Sequence, residues 1–131
     1  VVFVAGQPFL RHVKAGTHWM VHNNSDNAVP DFEATRELPL IEDLKSHALF
    51  QEICHEIGAR VDLDFFGADI GVDPAADRFV LFEANPSVSV FFPLRQNESE
   101  ARLARRAALQ DPPEAALVDL LTRPQAWRYA A

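Results

Sequence analysis

Cysteine is almost absent from this chain: Cys54 is the single example in 131 residues. An internal disulfide is thereby excluded, and a reducing, cytoplasmic setting is expected. Lysine is scarce as well, with only Lys14 and Lys45, and the net charge is -7. A surface that tracks nucleic-acid phosphates needs net basic charge, so nucleic acid is not an expected partner. No apolar run approaches the roughly 18 residues that span a bilayer. The first residues also lack the basic-then-apolar pattern of a signal peptide, so no membrane association is expected. Internal repeats and low-complexity segments are missing too.

What is present suits an ordered domain. Apolar residues make up 48% of the chain, which argues against disorder. A chain of this length buries roughly two-thirds of its unfolded surface, enough for a core. The expected organisation is one domain over 1–131, with a core over 1–95 and a helical segment over 96–131. The chain opens without methionine, inside what reads as a strand, Val1-Val2-Phe3-Val4. It is therefore expected to be part of a longer protein.

Periodicity supplies a coarse map. Residues 1–5 and Phe9 to Val13 read as two strands of a hairpin, turning at Gly6-Gln7-Pro8. Thr17 to His22 reads as a short strand. Residues 23–39 are polar, contain two prolines and read as a long loop. Leu44 to Ile57 carries apolar residues at three- and four-residue steps and reads as one helix, with Gly58 as its stop. A strand is expected near 61–72, a turn over Asp73 to Asp77, and a buried-looking returning strand at Arg78 to Phe82. Two helices follow, Glu98 to Leu109 and Glu114 to Leu121, separated by Asp111-Pro112-Pro113. Mixed elements with hairpin-like strand pairs predict an α+β domain whose sheet is mainly antiparallel and flanked by helices.

The apolar strand ends in Phe82-Glu83-Ala84-Asn85-Pro86-Ser87. The strand period of two sends Glu83 and Asn85 the same way. A hairpin turning near Asp73–Asp77 brings Asp69 opposite that pair. Three oxygen donors then meet at one end of the sheet, which suits a hard cation such as Mg²⁺. On residue types alone a second reading stays open: solvated acids at a strand end, and Asn-Pro as the start of a turn.

The segment "IGARVDLDFFGADIGVDPAADRFVLFEANPS" resembles the C-terminal part of the ATP-grasp ligases, of the glutathione-synthetase and ribosomal-protein glutamate-ligase kind. Those enzymes show a helix, a G-x-D strand, a turn and an apolar strand ending in E-x-N-P-S. Here these motifs are Gly67-Ala68-Asp69 and Glu83-Ala84-Asn85-Pro86-Ser87. The resemblance implies that Asp69, Glu83 and Asn85 hold Mg²⁺ (or Mn²⁺) bridging the phosphates of ATP. "VVFVAGQPFLRHVKAGTHWMVHNN" is similar to the segment that delivers a basic residue to the phosphates or the acyl phosphate. That role falls to Arg11, as a catalytic and nucleotide-binding residue, and Asn24 (or Asn23) matches an asparagine after that strand. The two matches cover residues 1–92, about two-thirds of the chain.

The implied activity is an ATP-dependent carboxylate–amine ligase acting through an acyl phosphate, with a small carboxylate and an amine as substrates. The family also uses a smaller lobe whose lysines clamp the ATP phosphates. Lys14 and Lys45 do not match those lysines, so the 131-residue piece alone is expected to be inactive. A second class stays open: a non-catalytic binding or assembly module that keeps the ATP-grasp frame. Among other features, His12, His18 and His22 allow a zinc reading but read more simply as surface or hydrogen-bonded histidines. His18 and Trp19 could line an acceptor pocket. His47 and His55 are expected in solvent, Cys54 in the core, and the Arg102–Arg106 cluster on a solvated helix face or docked on a second lobe.

Overall fold

The computed structural model describes residues 1–16, 29, 32–73, 78–89, 99–123 and 127. The expected strand Thr17–His22 and the zinc-reading residues His18 and His22 lie outside them, as do Trp19, Asn23 and Asn24. The described chain is α+β. A four-stranded antiparallel sheet has the order β2-β1-β3-β4, from β1 (Val2–Val4), β2 (Gln7–Phe9), β3 (Phe65–Asp73) and β4 (Arg78–Asn85). The helices are α1 (Phe32–Thr35), α2 (Glu37–Ser46), α3 (Ala48–Arg60), α4 (Glu100–Leu109) and α5 (Asp111–Thr122).

The first hairpin is tighter than expected. Val4 pairs with Gln7, leaving Ala5 and Gly6 as a two-residue loop. Both have positive φ, 49° and 79°, the geometry whose twist matches the flanking strands. The turn therefore sits at Ala5-Gly6, not at Gly6-Gln7-Pro8. Pro8 lies within β2, where an outer strand tolerates its missing N–H.

Both faces of β1 are covered, so all three of its residues are buried. Phe3 stacks on its cross-strand partner Phe66, with ring centroids 4.5 Å apart and planes 3° from parallel. With Leu44, Phe50, Cys54, Ile57 and Ala68 they form the core beneath α2 and α3. On the other face, Val2 and Val4 pack with Leu117 and Leu120 of α5. The C-terminal helical segment thus covers the sheet.

Several expectations are corrected by local chemistry. The apolar stripe from Leu44 to Ile57 runs across two helices. The chain leaves helical geometry at His47 (ψ 112°), whose Nδ1 accepts from the Phe50 amide. His47 also meets Phe79 edge-on, so it is not simply a solvent-facing residue. Gly58 does not stop α3, which continues to Arg60. Its missing side chain is needed elsewhere: a Cβ there would lie 2.8 Å from the Gly6 carbonyl oxygen. The expected loop 23–39 contains α1 and the start of α2, because Pro39 falls in the first turn of α2, where its lost N–H has no intrahelical acceptor. Pro112 and Pro113 likewise lie in the first turn of α5 instead of separating two helices.

The apolar strand is not buried. β4 is an edge strand, with Phe79 half-covered and Phe82 59% exposed. A run rich in Phe, Val and Leu looks like core when only its composition is visible, but here no element lies beyond it among the described residues.

Gly58→Ala is expected to lower stability by about 1–2 kcal/mol in denaturant titration. The backbone oxygen of Gly6 must shift, outweighing the helix-propensity gain of alanine. Burial raises the Cys54 thiol pKa to about 11. A chromogenic thiol reagent at neutral pH should therefore stay slow with the native chain and become fast only as denaturant unfolds it.

Candidate functional site

The motif residues fall on the β3–β4 hairpin and the segment after β2. Asp69 pairs directly with Glu83, and Gly67 with Asn85. The pairing depends on an irregularity. From Asp73–Arg78 to Ile70–Leu81 the register is regular, and continuing it would set Phe82 opposite Asp69. One extra residue in β4 moves Glu83 there instead. Such bulges commonly re-aim a side chain near a site. Gly71 makes room for it: a Cβ at Gly71 would lie 2.7 Å from the ring of Phe82.

Beside this pair opens a cavity of about 140 Å³, to which Arg11, His12, Asp69, Glu83 and Asn85 all contribute. Gly67 forms part of its lining, and a Cβ there would meet Val88 at 3.0 Å. Asn85 is held by its own turn. Its Oδ1 accepts from the Ser87 amide at 2.8 Å, the first N–H available after Pro86. A carbonyl oxygen has two lone pairs, so one acceptor position remains.

The cavity is electrostatically divided. Arg11 is 7% exposed. Burial lowers its pKa, the charge of Glu114 raises it, and Arg105 lowers it. The guanidinium nonetheless stays charged at any ordinary pH. His12 lines the cavity with part of its surface open to solvent. Its pKa falls to about 4, first through burial, then through the positive charges of the Val1 ammonium, Lys14 and Arg11. Asp69 and Glu83 are exposed. Among the described residues no ion pair reaches either of them. Like charges directly opposite on neighbouring strands repel.

Four of the five expected site residues thus line one cavity. Asn24 lies outside the described residues. No group of three His, Cys, Asp or Glu side chains suited to a metal occurs among the described residues. The donor set is two carboxylates and one carboxamide, which fits Mg²⁺: that ion takes one or two carboxylates and completes its shell with waters and phosphates. Sequence reasoning did not find the supporting residues. Glu37 lay in the expected loop. Arg105 lay in a cluster read as solvated, although it pairs with buried Glu37, and Arg106 reaches Asp111 and Glu114. No family model matches this chain, no curated protein matches it, and no solved structure matches it.

His12 should titrate near pH 4 by NMR instead of near its ordinary 6.5. Because the folded state disfavours the charged ring, the associated stability is fully present above pH 6.5. It should be lost as pH falls from 6.5 towards 4, and His12→Gln should flatten that part of the stability–pH curve.

Proposed function

We propose that this chain forms the phosphate-and-metal end of an ATP-grasp ligase that joins a carboxylate to an amine. The observation that carries the reading is the direct opposition of Asp69 and Glu83, beside a cavity that also contains buried Arg11. Two carboxylates set directly against each other, with no ion pair to either among the described residues, repel, and a cation between them would relieve that repulsion. The choice of family rests on the resemblance of the two quoted segments. In this reading the cytoplasm is the compartment, and ATP and a small carboxylate–amine pair are the ligands.

Asp69, Glu83 and Asn85 would hold Mg²⁺, which neutralises charge on the phosphate oxygens when bound. Arg11 donates to phosphate or acyl-phosphate oxygens from its fixed fork of N–H groups. The carboxylate oxygen of the substrate attacks the γ-phosphorus of ATP and ADP leaves. The amine nitrogen then attacks the acyl carbon, inorganic phosphate departs with the displaced electron pair, and the nitrogen gives up one proton, which the phosphate takes up, to leave the amide. The reading requires lysines on a second lobe. Lys45 does not supply them, being engaged with Glu42 on the exposed side of α2.

A non-catalytic binding or assembly module is the second reading. The exposed apolar edge of β4 is the observation that favours it, since an unpaired strand edge can accept another strand.

The test is thermal unfolding with and without Mg²⁺ and ATP. Without the cation, Glu83→Gln should be more stable than the wild type by about 0.2–1 kcal/mol, because the cross-strand repulsion is gone. With Mg²⁺ the wild type should gain stability and the variant should not. Equal Mg²⁺ responses in the two proteins would sink the metal assignment.

A further inference from the structure

The acidic hairpin is only one wall of the cavity. Arg11 and His12, which also line it, belong to a segment that runs irregularly from Leu10 to Ala15, outside the sheet ladder. A segment of this kind needs an anchor if it is to present a buried guanidinium reproducibly. The Val13 amide provides one, donating to Oε1 of Glu37 at 2.9 Å. Glu37 is fully buried. Its carboxylate accepts twice from Arg105 as well, from Nε at 2.5 Å and from Nη2 at 2.9 Å.

We propose that Arg105 of α4 is a positioning residue for the Arg11 wall: it clamps the Glu37 carboxylate, and Glu37 holds the Leu10–Val13 segment in place. The two-pronged contact orients both carboxylate oxygens at once, leaving Oε1 directed to the Val13 amide. A lysine would supply charge without that orientation. The C-terminal helices also reach Arg11 through charge. Glu114 of α5 is the residue that opposes its desolvation, and Glu114 is tied back to α4 by Arg106 at 3.5 Å. The α4–α5 segment lies outside the matched motifs, yet it supports one wall of the cavity. The inference rests on the reading above only for the identity of the ligand.

Two double variants of the 131-residue chain separate positioning from bulk stability. Glu37→Gln/Arg105→Gln removes both charges but keeps a side-chain oxygen for the Val13 amide. Glu37→Leu/Arg105→Leu removes the charges and the acceptor. Three readouts apply: hydrogen exchange at the Val13 amide, the NMR signal of the Arg11 Nε–H (assigned by its loss in Arg11→Lys), and affinity for inorganic tripolyphosphate with Mg²⁺. The glutamine pair keeps an acceptor for Val13 but loses the Arg105 fork, so it should speed Val13 exchange by about threefold to tenfold and move the Arg11 signal part of the way. The leucine pair should speed Val13 exchange at least tenfold, move the Arg11 signal to the position of an exposed arginine, and weaken tripolyphosphate binding at least fivefold. A folded leucine pair with Val13 and Arg11 unchanged would overturn the proposal. If that pair does not fold, wild-type exchange decides: a Val13 amide as fast as an exposed one overturns the proposal, and a protected one supports it. NMR results as expected, in a wild type that binds no tripolyphosphate, support the positioning role and count against the phosphate-site reading.

Discussion

A carboxylate with no exposed surface cannot be left alone. Moving an ion of that size out of water costs several kcal/mol even after the protein relaxes. Glu37 meets this constraint with three donated hydrogen bonds: two from the Arg105 guanidinium and one from the Val13 amide. The two donor residues lie 68 and 24 residues from Glu37 along the chain. Satisfying one buried charge therefore ties α2, α4 and the segment after β2 to a common point. Removing Arg105 would leave Glu37 as an uncompensated buried charge, and removing Glu37 would leave Arg105 and the Val13 amide without their acceptor. An apolar pair of similar volume could fill the same space. It could not specify which backbone amide sits there, and the Val13 amide is one residue from His12 and two from Arg11.

The sheet explains where the cavity lies. Its central strand β1 is covered on both faces, by α2 and α3 through Phe3 and by α5 through Val2 and Val4. Coverage on the α5 side fails toward β4, where Asp69, Glu83 and Asn85 are exposed. The boundary between the covered and uncovered sheet is a natural concavity, with the buried Arg11 at its edge. Val1, Val2, Ala68 and Val88 line the cavity beside the charged groups that meet at this boundary.

Much of this was legible in the residues, and the limits have definite causes. The convergence of Asp69 with Glu83 and Asn85 could be read because side chains alternate along a strand and a hairpin sets two strands side by side; the expected turn over 74–77 lies outside the described residues. The α+β class followed from the mixture of strand and helix periods. The Leu44–Ile57 stripe was seen, but its break at His47 was not. A stripe reports which face is buried and is blind to an interruption that leaves the face intact. The exposure of β4 was missed because apolar composition cannot distinguish a central strand from an edge. Glu37 and Arg105 are 68 residues apart. No local period or spacing links them, so only the fold could reveal their pairing.

The bulge in β4 is the clearest case of a small irregularity with a large consequence. In an unbroken register the residue across from Asp69 would be Phe82, and the two carboxylates would not be direct partners. One inserted residue exchanges an aromatic ring for a second negative charge, and Gly71 accepts the displaced ring. Edge strands tolerate such insertions because no further strand constrains their outer side. Among the described residues no strand supports Glu83 and Asn85 from that direction. Their positions then depend on β3 pairing and on the Asn85–Ser87 turn. A site placed on an edge strand is in this way easy to re-aim but only as rigid as its inner hairpin. The Arg11 wall faces the reverse problem: Arg11 sits in irregular chain and depends on the Arg105–Glu37 pair for its register.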